Sequence, residues 1–104
     1  MKKQQNYRLM VEVRDMTKVK GQINPFNDPV PGTQIIVELD GDDLEHIMYR
    51  RLFEFWNRED AEISALGIWR LWNDRFGRKT KLSKKAVKQY MFDIESVVKS
   101  EANY

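Results

Sequence analysis

The sequence predicts an α+β domain in which a small antiparallel sheet of two or three strands is followed by three α-helices, packed together as two layers. Three observations support this fold class. Apolar and polar residues alternate in two early segments, 7–14 and 33–39. Apolar residues recur at helical spacing in three later segments. The chain of 104 residues is long enough to bury one continuous core.

The two alternating segments are typical of strands that are buried on one face. In the first segment, Leu9 and Val11 point inward and Arg8 points outward. In the second, Ile35 and Val37 point inward. Each segment is therefore predicted to form a half-buried strand.

A loop is predicted between these strands, at residues 21–32, which hold all three prolines of the chain. Two strands alone are marginally stable in water, so residues 17–23 are expected to add a short third strand. Phe26 lies at the apolar tip of the loop. It is a candidate contact for a partner, and folding back onto the sheet is an equally good interpretation.

Three helices are predicted after the sheet. The first is capped by Asp42 or Asp43, the second ends before Gly77, and the third begins after Ser83. The apolar stripe of the first consists of Leu44, Ile47, Met48, Leu52, Phe55 and Trp56. The stripe of the second consists of Ala65, Leu66, Trp69, Trp72 and Phe76. The stripe of the third consists of Val87, Tyr90, Met91, Ile94, Val97 and Val98.

The predicted core combines side chains from both layers. It contains Leu9, Val11, Ile35, Val37, Ile47, Leu52, Trp69, Tyr90 and Ile94. All three tryptophans, Trp56, Trp69 and Trp72, are assigned to packing because they fall on helical stripes, although the second helix is apolar enough for part of it to face a partner.

The domain is predicted to span residues 7–100, with a flexible arm at 1–6 and a tail at 101–104. The first residues lack the apolar run of a signal peptide or a membrane anchor. The chain has no cysteine, which excludes disulfides, thiolate metal sites and cysteine nucleophiles. We therefore expect a cytoplasmic protein that does not act on membranes.

Charge is strongly segregated along the chain, although the net charge is only +2. Residues 38–62 hold nine acidic and three basic residues, and residues 75–88 hold seven basic residues and no acidic one. Lys84 and Lys85 are expected in the first turn of the third helix. Cations there are unfavourable by about 0.3–1 kcal/mol each, because the N-terminus of a helix carries a partial positive charge.

The basic segment is therefore the leading candidate for binding nucleic acid, or a nucleic-acid-processing protein. If the last two helices form a helix-turn-helix, their lysines would contact phosphates and Gln89 a base edge. The candidate residues are Arg75, Arg78, Lys79, Lys81, Lys84, Lys85, Lys88 and Gln89. A lysine-rich face kept for solubility explains the pattern equally well.

The second hypothesis is a protein-directed adaptor or inhibitor of the bacterial or phage type. Its candidate contacts are Phe26, Asp42, Asp43 and Glu45, together with the free edge of the sheet, which would also allow a homo-oligomer. Metal binding by Asp40, Asp42 and Asp43 is disfavoured, since turn and cap chemistry explains these residues. His46 is the only histidine and has no catalytic partner in the sequence, so neither an enzyme nor a cofactor is expected.

Overall fold

A computed structural model of the chain describes residues 4–16, 32–41, 47–79 and 81–102. These residues form a three-stranded antiparallel sheet, a separate pair of two-residue strands and two helices. In chain order the elements are β1 (Gln4–Gln5), β2 (Arg8–Asp15), β3 (Thr33–Asp40), β4 (Ile47–Phe55), α1 (Arg58–Phe76), β5 (Leu82–Ser83) and α2 (Lys84–Ala102).

The main sheet has the order β2-β3-β4, so β3 is central and the other two strands form the edges. In its middle, Val37 lies between Val11 on one neighbour and Arg51 on the other. The register between β3 and β4 shifts after Leu39, at a bulge next to Asp40. Both helices cover the same face of the sheet, with α1 against all three strands and α2 beside β4.

The prediction of three helices is wrong, because the segment expected to form the first helix contains β4. Burial alternates along this strand: Tyr49 and Phe53 pack against the core, whereas Arg50 and Leu52 are exposed. The apolar residues of this segment fit a helical stripe and an alternating pattern equally well. Pairing with β3 decides for the strand, since isoleucine, tyrosine and phenylalanine favour a sheet that is half buried.

The α+β class is confirmed, and so are the antiparallel sheet and the two strands predicted near the beginning of the chain. The third strand of the sheet is β4. Residues 17–23, where a short third strand was expected, lie outside the described residues, as does nearly all of the loop at 21–32.

The core lies between the sheet and the two helices. Its centre is formed by Ile35, Val37, Ile68, Tyr90 and Ile94, each of which is completely buried. Leu9 is also buried, and Val11 packs against the cluster. These contacts confirm six of the predicted core residues.

Three predicted core residues are wrong: Ile47, Leu52 and Trp69 are 50%, 44% and 40% exposed. The first two lie on β4 rather than on a helix, and Leu52 is on the face of the sheet that points away from the helices. Trp69 lies on the solvent side of α1, because the stripe that packs inward is formed by Ala61, Ala65, Ile68 and Phe76. Trp56, also expected to pack, is exposed as well.

The ends of the helices follow from local sequence. The side chain of Asn57 caps α1 by accepting a hydrogen bond of 2.8 Å from the N–H of Asp60. Gly77 ends this helix with a φ of 57°, in the left-handed region that favours glycine, and its N–H donates to the carbonyl of Asn73. The helix end predicted at Gly77 is confirmed.

The two-residue strands β1 and β5 pair antiparallel, with Gln4 opposite Ser83 and Gln5 opposite Leu82. This pairing fastens the beginning of the described chain to the segment immediately before α2. No helix formed by the described residues is long and apolar enough to cross a membrane.

Candidate nucleic-acid interface

The end of α1 and the start of α2 enclose a shallow depression with a basic lining. Its lining residues are Arg75, Phe76, Lys79, Lys81, Leu82, Ser83, Lys84, Lys85, Ala86, Gln89 and Asp93. Six of the eight residues predicted to bind nucleic acid therefore lie together. Of the other two, Arg78 is exposed just past Gly77 and Lys88 faces a neighbouring depression.

The start of α2 is set by Ser83, whose hydroxyl accepts a hydrogen bond of 3.2 Å from the N–H of Ala86. The first turn that follows contains no acidic residue. Lys84 and Lys85 occupy it, as the sequence predicts, and both are exposed. Two cations therefore stand where the backbone itself carries a partial positive charge.

One acidic group enters the depression from the third turn of α2. Asp93 accepts hydrogen bonds from Arg75, at 2.8 Å, and from the side-chain amide of Gln89, at 2.9 Å. The bond from Arg75, and next that from Gln89, hold the pKa of Asp93 below its ordinary value. Arg75 is thus neutralised locally, and the amide nitrogen of Gln89 is already engaged.

The lysines of the depression, and Lys88 beside it, are not neutralised in this way. Lys79, Lys81, Lys84, Lys85 and Lys88 are all exposed, and none of them forms an ion pair with another described residue. Their charges are close together and of one sign. Such a cluster attracts polyanions and disfavours cationic partners.

A second depression continues the first along α2 and reaches β4. Its lining residues are Tyr49, Arg50, Arg51, Lys85, Lys88, Gln89, Met91 and Phe92. The two depressions share Lys85 and Gln89, so they form one continuous surface. We call this surface the basic face.

Phe92 is the most exposed large apolar side chain among the described residues, at 71%. It lies on the same side of α2 as Lys85 and Lys88, because positions i, i+3 and i+7 share a helical face. An aromatic ring thus stands about 10 Å along the helix from Lys85, at a rise of 1.5 Å per residue. The basic face combines exposed cations with an accessible π surface.

Two arginines of β4 border this surface, and each is paired. Arg50 lies 3.6 Å from Glu38, and Arg51 lies 3.3 Å from Glu95. The guanidinium of Arg51 also stands 5.6 Å from the ring centre of Phe53. These contacts fix the position of both arginines at the rim.

Sequence reasoning missed Tyr49, Arg50, Arg51 and Phe92 as members of the basic face. The first three belong to the strand that was taken for a helix. Phe92 carried a usable signal, because it falls off the regular apolar stripe of α2. A large apolar residue outside the stripe of an amphipathic helix is expected on its exposed side.

The helix that carries most of the basic face is joined to the core through Tyr90. The hydroxyl of Tyr90 donates a hydrogen bond of 2.9 Å to the carbonyl of Ile68, which ties α2 to α1 inside the core. The ring of Tyr90 meets those of Trp72 and Phe76 edge-on, at centroid distances of 5.0 and 5.9 Å. Burial raises the pKa of Tyr90 above its ordinary value, so this hydroxyl remains a donor throughout the neutral range.

The helix-turn-helix arrangement considered from the sequence needs a turn of about three or four residues. Here the connection between α1 and α2 runs from Gly77 to Ser83 and includes β5. The second helix does not follow the first through a compact turn. The basic face is therefore described by its own side chains rather than by that motif.

The predicted protein-contact residues Phe26, Asp42, Asp43 and Glu45 lie outside the described residues, as does His46. Asp40 is described and is buried, with one carboxylate oxygen 3.1 Å from Arg8. Within the described ranges, no group of three or more acidic or histidine side chains is placed to hold a metal ion. No protein-family model matches the chain, and neither a characterised protein nor a solved structure does.

Proposed function

We propose that this chain is a non-enzymatic, cytoplasmic protein that binds single-stranded segments of nucleic acid through the basic face. The observation that carries the proposal is the juxtaposition of exposed, unneutralised lysines with the exposed ring of Phe92 on one side of α2. Proteins that bind single strands combine these two elements, a positive groove for the backbone and aromatic rings for the bases.

The lysines supply the contacts with phosphate. Lys79 and Lys81 lead to the start of α2, and Lys84 and Lys85 continue from it. Phosphate groups are favoured at this position, because the N-terminus of a helix presents backbone N–H groups and a partial positive charge. The two lysines that are unfavourable in the isolated protein become favourable once an anion lies between them and the helix.

Phe92 supplies the preference for unpaired bases. In a duplex, the faces of the bases are stacked on one another and are not available to a protein ring. A single strand exposes them, and stacking on an aromatic side chain contributes about 1–3 kcal/mol per base. The ring of Phe92 is accessible beside Lys88 and is suited to this contact.

The first experiment measures binding of fluorescent single-stranded DNA and RNA as a function of salt concentration. Each lysine that contacts phosphate contributes about 0.7 to the slope of log K against log salt for a single strand. The variant Lys84→Glu/Lys85→Glu/Lys88→Glu is expected to lose about two units of slope and most of the affinity. If it binds like the parent, or the parent binds neither nucleic acid, the proposal is wrong.

A matched pair of variants separates position from net charge. Lys88→Glu and Lys99→Glu change the charge equally on the same helix, but Lys99 lines neither depression and lies 3.6 Å from Glu95. Only Lys88→Glu is expected to weaken binding. Equal losses would show that binding depends on total charge alone.

Phe92→Ala tests the preference for single strands. Removal of the ring is expected to weaken binding to a single strand by about tenfold and to leave binding to a duplex unchanged. Equal effects on the two ligands would contradict a stacking role. Co-purification with and without nuclease then distinguishes nucleic acid from a protein partner, since only a protein partner survives the digestion.

A further inference from the structure

The solvent side of α1 carries an apolar stripe that the core does not use. Ile63, Leu66 and Trp69 follow one another at intervals of three residues and are 42%, 46% and 40% exposed. Leu66 is about 200° around the helix from Ile68, which lies at the centre of the core. Leu66 therefore points away from the sheet, and Ile63 and Trp69 flank it.

Charged residues frame this stripe in a regular order. One row of α1, in which every member is four residues from the next, consists of Arg58, Glu62, Leu66, Arg70 and Asp74. When the row is read from Asp74 to Arg58 instead of from Arg58 to Asp74, each charged position holds the opposite charge. Placed antiparallel against its own copy about Leu66, it brings Arg58 opposite Asp74 and Glu62 opposite Arg70.

We propose that the outer face of α1 binds a second copy of this chain in an antiparallel, two-fold symmetric dimer. The occupant is identified by charge complementarity, because each such dimer contains four pairs of opposite charges around an apolar centre. A two-fold interface uses the same patch on both subunits, so a surface of this kind has to be complementary to itself.

The packing of helices supports the same geometry. Rows of residues spaced four apart form ridges on a helix, and the ridges of two helices interdigitate when the helices cross at about −50°. The row through Leu66 is one of these ridges. Ile63 and Trp69 lie on either side of it and fill the contact.

A parallel arrangement would place every charged residue opposite its own copy, and like charges repel one another. Within one chain, Arg58 is bonded to Glu62 at 2.8 Å, whereas Arg70 and Asp74 form no ion pair with another described residue. The second half of the row thus has charges available for a partner. The sheet edge considered from the sequence plays no part in this interface.

Two crossed helices bury less surface than the roughly 800 Å² per partner of a standard interface. We therefore expect a weak dimer, with a dissociation constant between about 1 µM and 1 mM. Sedimentation equilibrium over that range of concentration measures it. A chain that stays monomeric up to 1 mM overturns the proposal.

Leu66→Gln is expected to weaken the dimer by at least about tenfold, since it places an amide at the apolar centre. The matched control is Leu52→Thr, which removes a leucine of similar exposure, 44% against 46%, from the open face of the sheet. The control is expected to dimerise like the parent. If Leu52→Thr abolishes dimerisation and Leu66→Gln does not, α1 is not the interface.

The decisive test mixes two variants. Glu62→Arg alone and Arg70→Glu alone each place like charges opposite one another twice and are expected to weaken self-association by about tenfold. An equimolar mixture restores both pairs with opposite charge in a heterodimer. Loss of a bond within one helix is not restored by mixing, so failure of the mixture to associate rules out the proposed antiparallel pairing.

Discussion

The two helices of this protein have the same length and cover the same sheet, but they begin in opposite ways. Both contain 19 residues. The first turn of α1 contains Glu59 and Asp60 after the capping side chain of Asn57, which is the arrangement that stabilises a helix. The first turn of α2 contains Lys84 and Lys85 and no acidic residue.

Under the proposed function, the two helices divide stability and binding between them. The beginning of α1 is adapted to its own backbone, and nothing about it calls for a ligand. The beginning of α2 is less favourable than that of α1, because its two lysines oppose the helix dipole. Local sequences that reduce stability are expected at functional sites.

The largest expected effect tests whether the two helices contribute equally to the stability of the core. Ile68 of α1 and Ile94 of α2 are both completely buried. Truncation to alanine removes apolar contacts and leaves a cavity, so Ile68→Ala and Ile94→Ala should each lower the free energy of unfolding by about 2–5 kcal/mol. Urea denaturation measures both losses. A loss confined to one variant would show that only one helix is integral to the domain.

An intermediate effect tests the caps. Asn57→Ala removes the 2.8 Å hydrogen bond at the start of α1 and should lower the free energy of unfolding by about 1 kcal/mol. Ser83→Ala removes the longer bond of 3.2 Å at the start of α2, and its effect is expected to be smaller. Thermal denaturation orders the two variants. The reverse order would mean that α2 depends on its cap more than α1 does.

The smallest expected change in stability is the most informative one, because it should be an increase. Lys84→Glu/Lys85→Glu replaces two unfavourable charges by favourable ones, and at low salt should raise the free energy of unfolding by at least about 0.6 kcal/mol. The same variant should lose affinity for single-stranded nucleic acid. Lys99→Glu, in the last turn of α2, should do the reverse, with lower stability and unchanged binding. Stability that changes in the same direction in both variants contradicts this account.

The parts of the fold that were predictable are those in which only one periodicity fits. Residues of α2 follow the helical spacing and no other, and the strand around Val11 alternates cleanly. The segment of β4 satisfies both patterns, so only its pairing with β3 selects the strand. In α1, two neighbouring apolar stripes compete, and the small Ala61 and Ala65 allow the side with Ile68 to approach the sheet.

The basic face was predictable only where its residues are close together in the sequence. Its lysines are close together in sequence, so their clustering requires no knowledge of the fold. Tyr49 and Arg51 join the same face only because β4 lies beside α2, whereas Phe92 belongs to it through helical spacing alone. Contacts between elements distant in sequence are set by tertiary structure, and composition and spacing carry no record of them.

The short pairing of Gln5 with Leu82 gives the domain a natural reporter of events at the basic face. Two residues on each side hold this small ladder, so its amide protons should exchange with solvent much earlier than those of the main sheet. The ladder ends where α2 begins. A ligand that engages the first turn of that helix would slow exchange at β5. Hydrogen exchange would then report binding in the unmodified protein, without any substitution at the basic face.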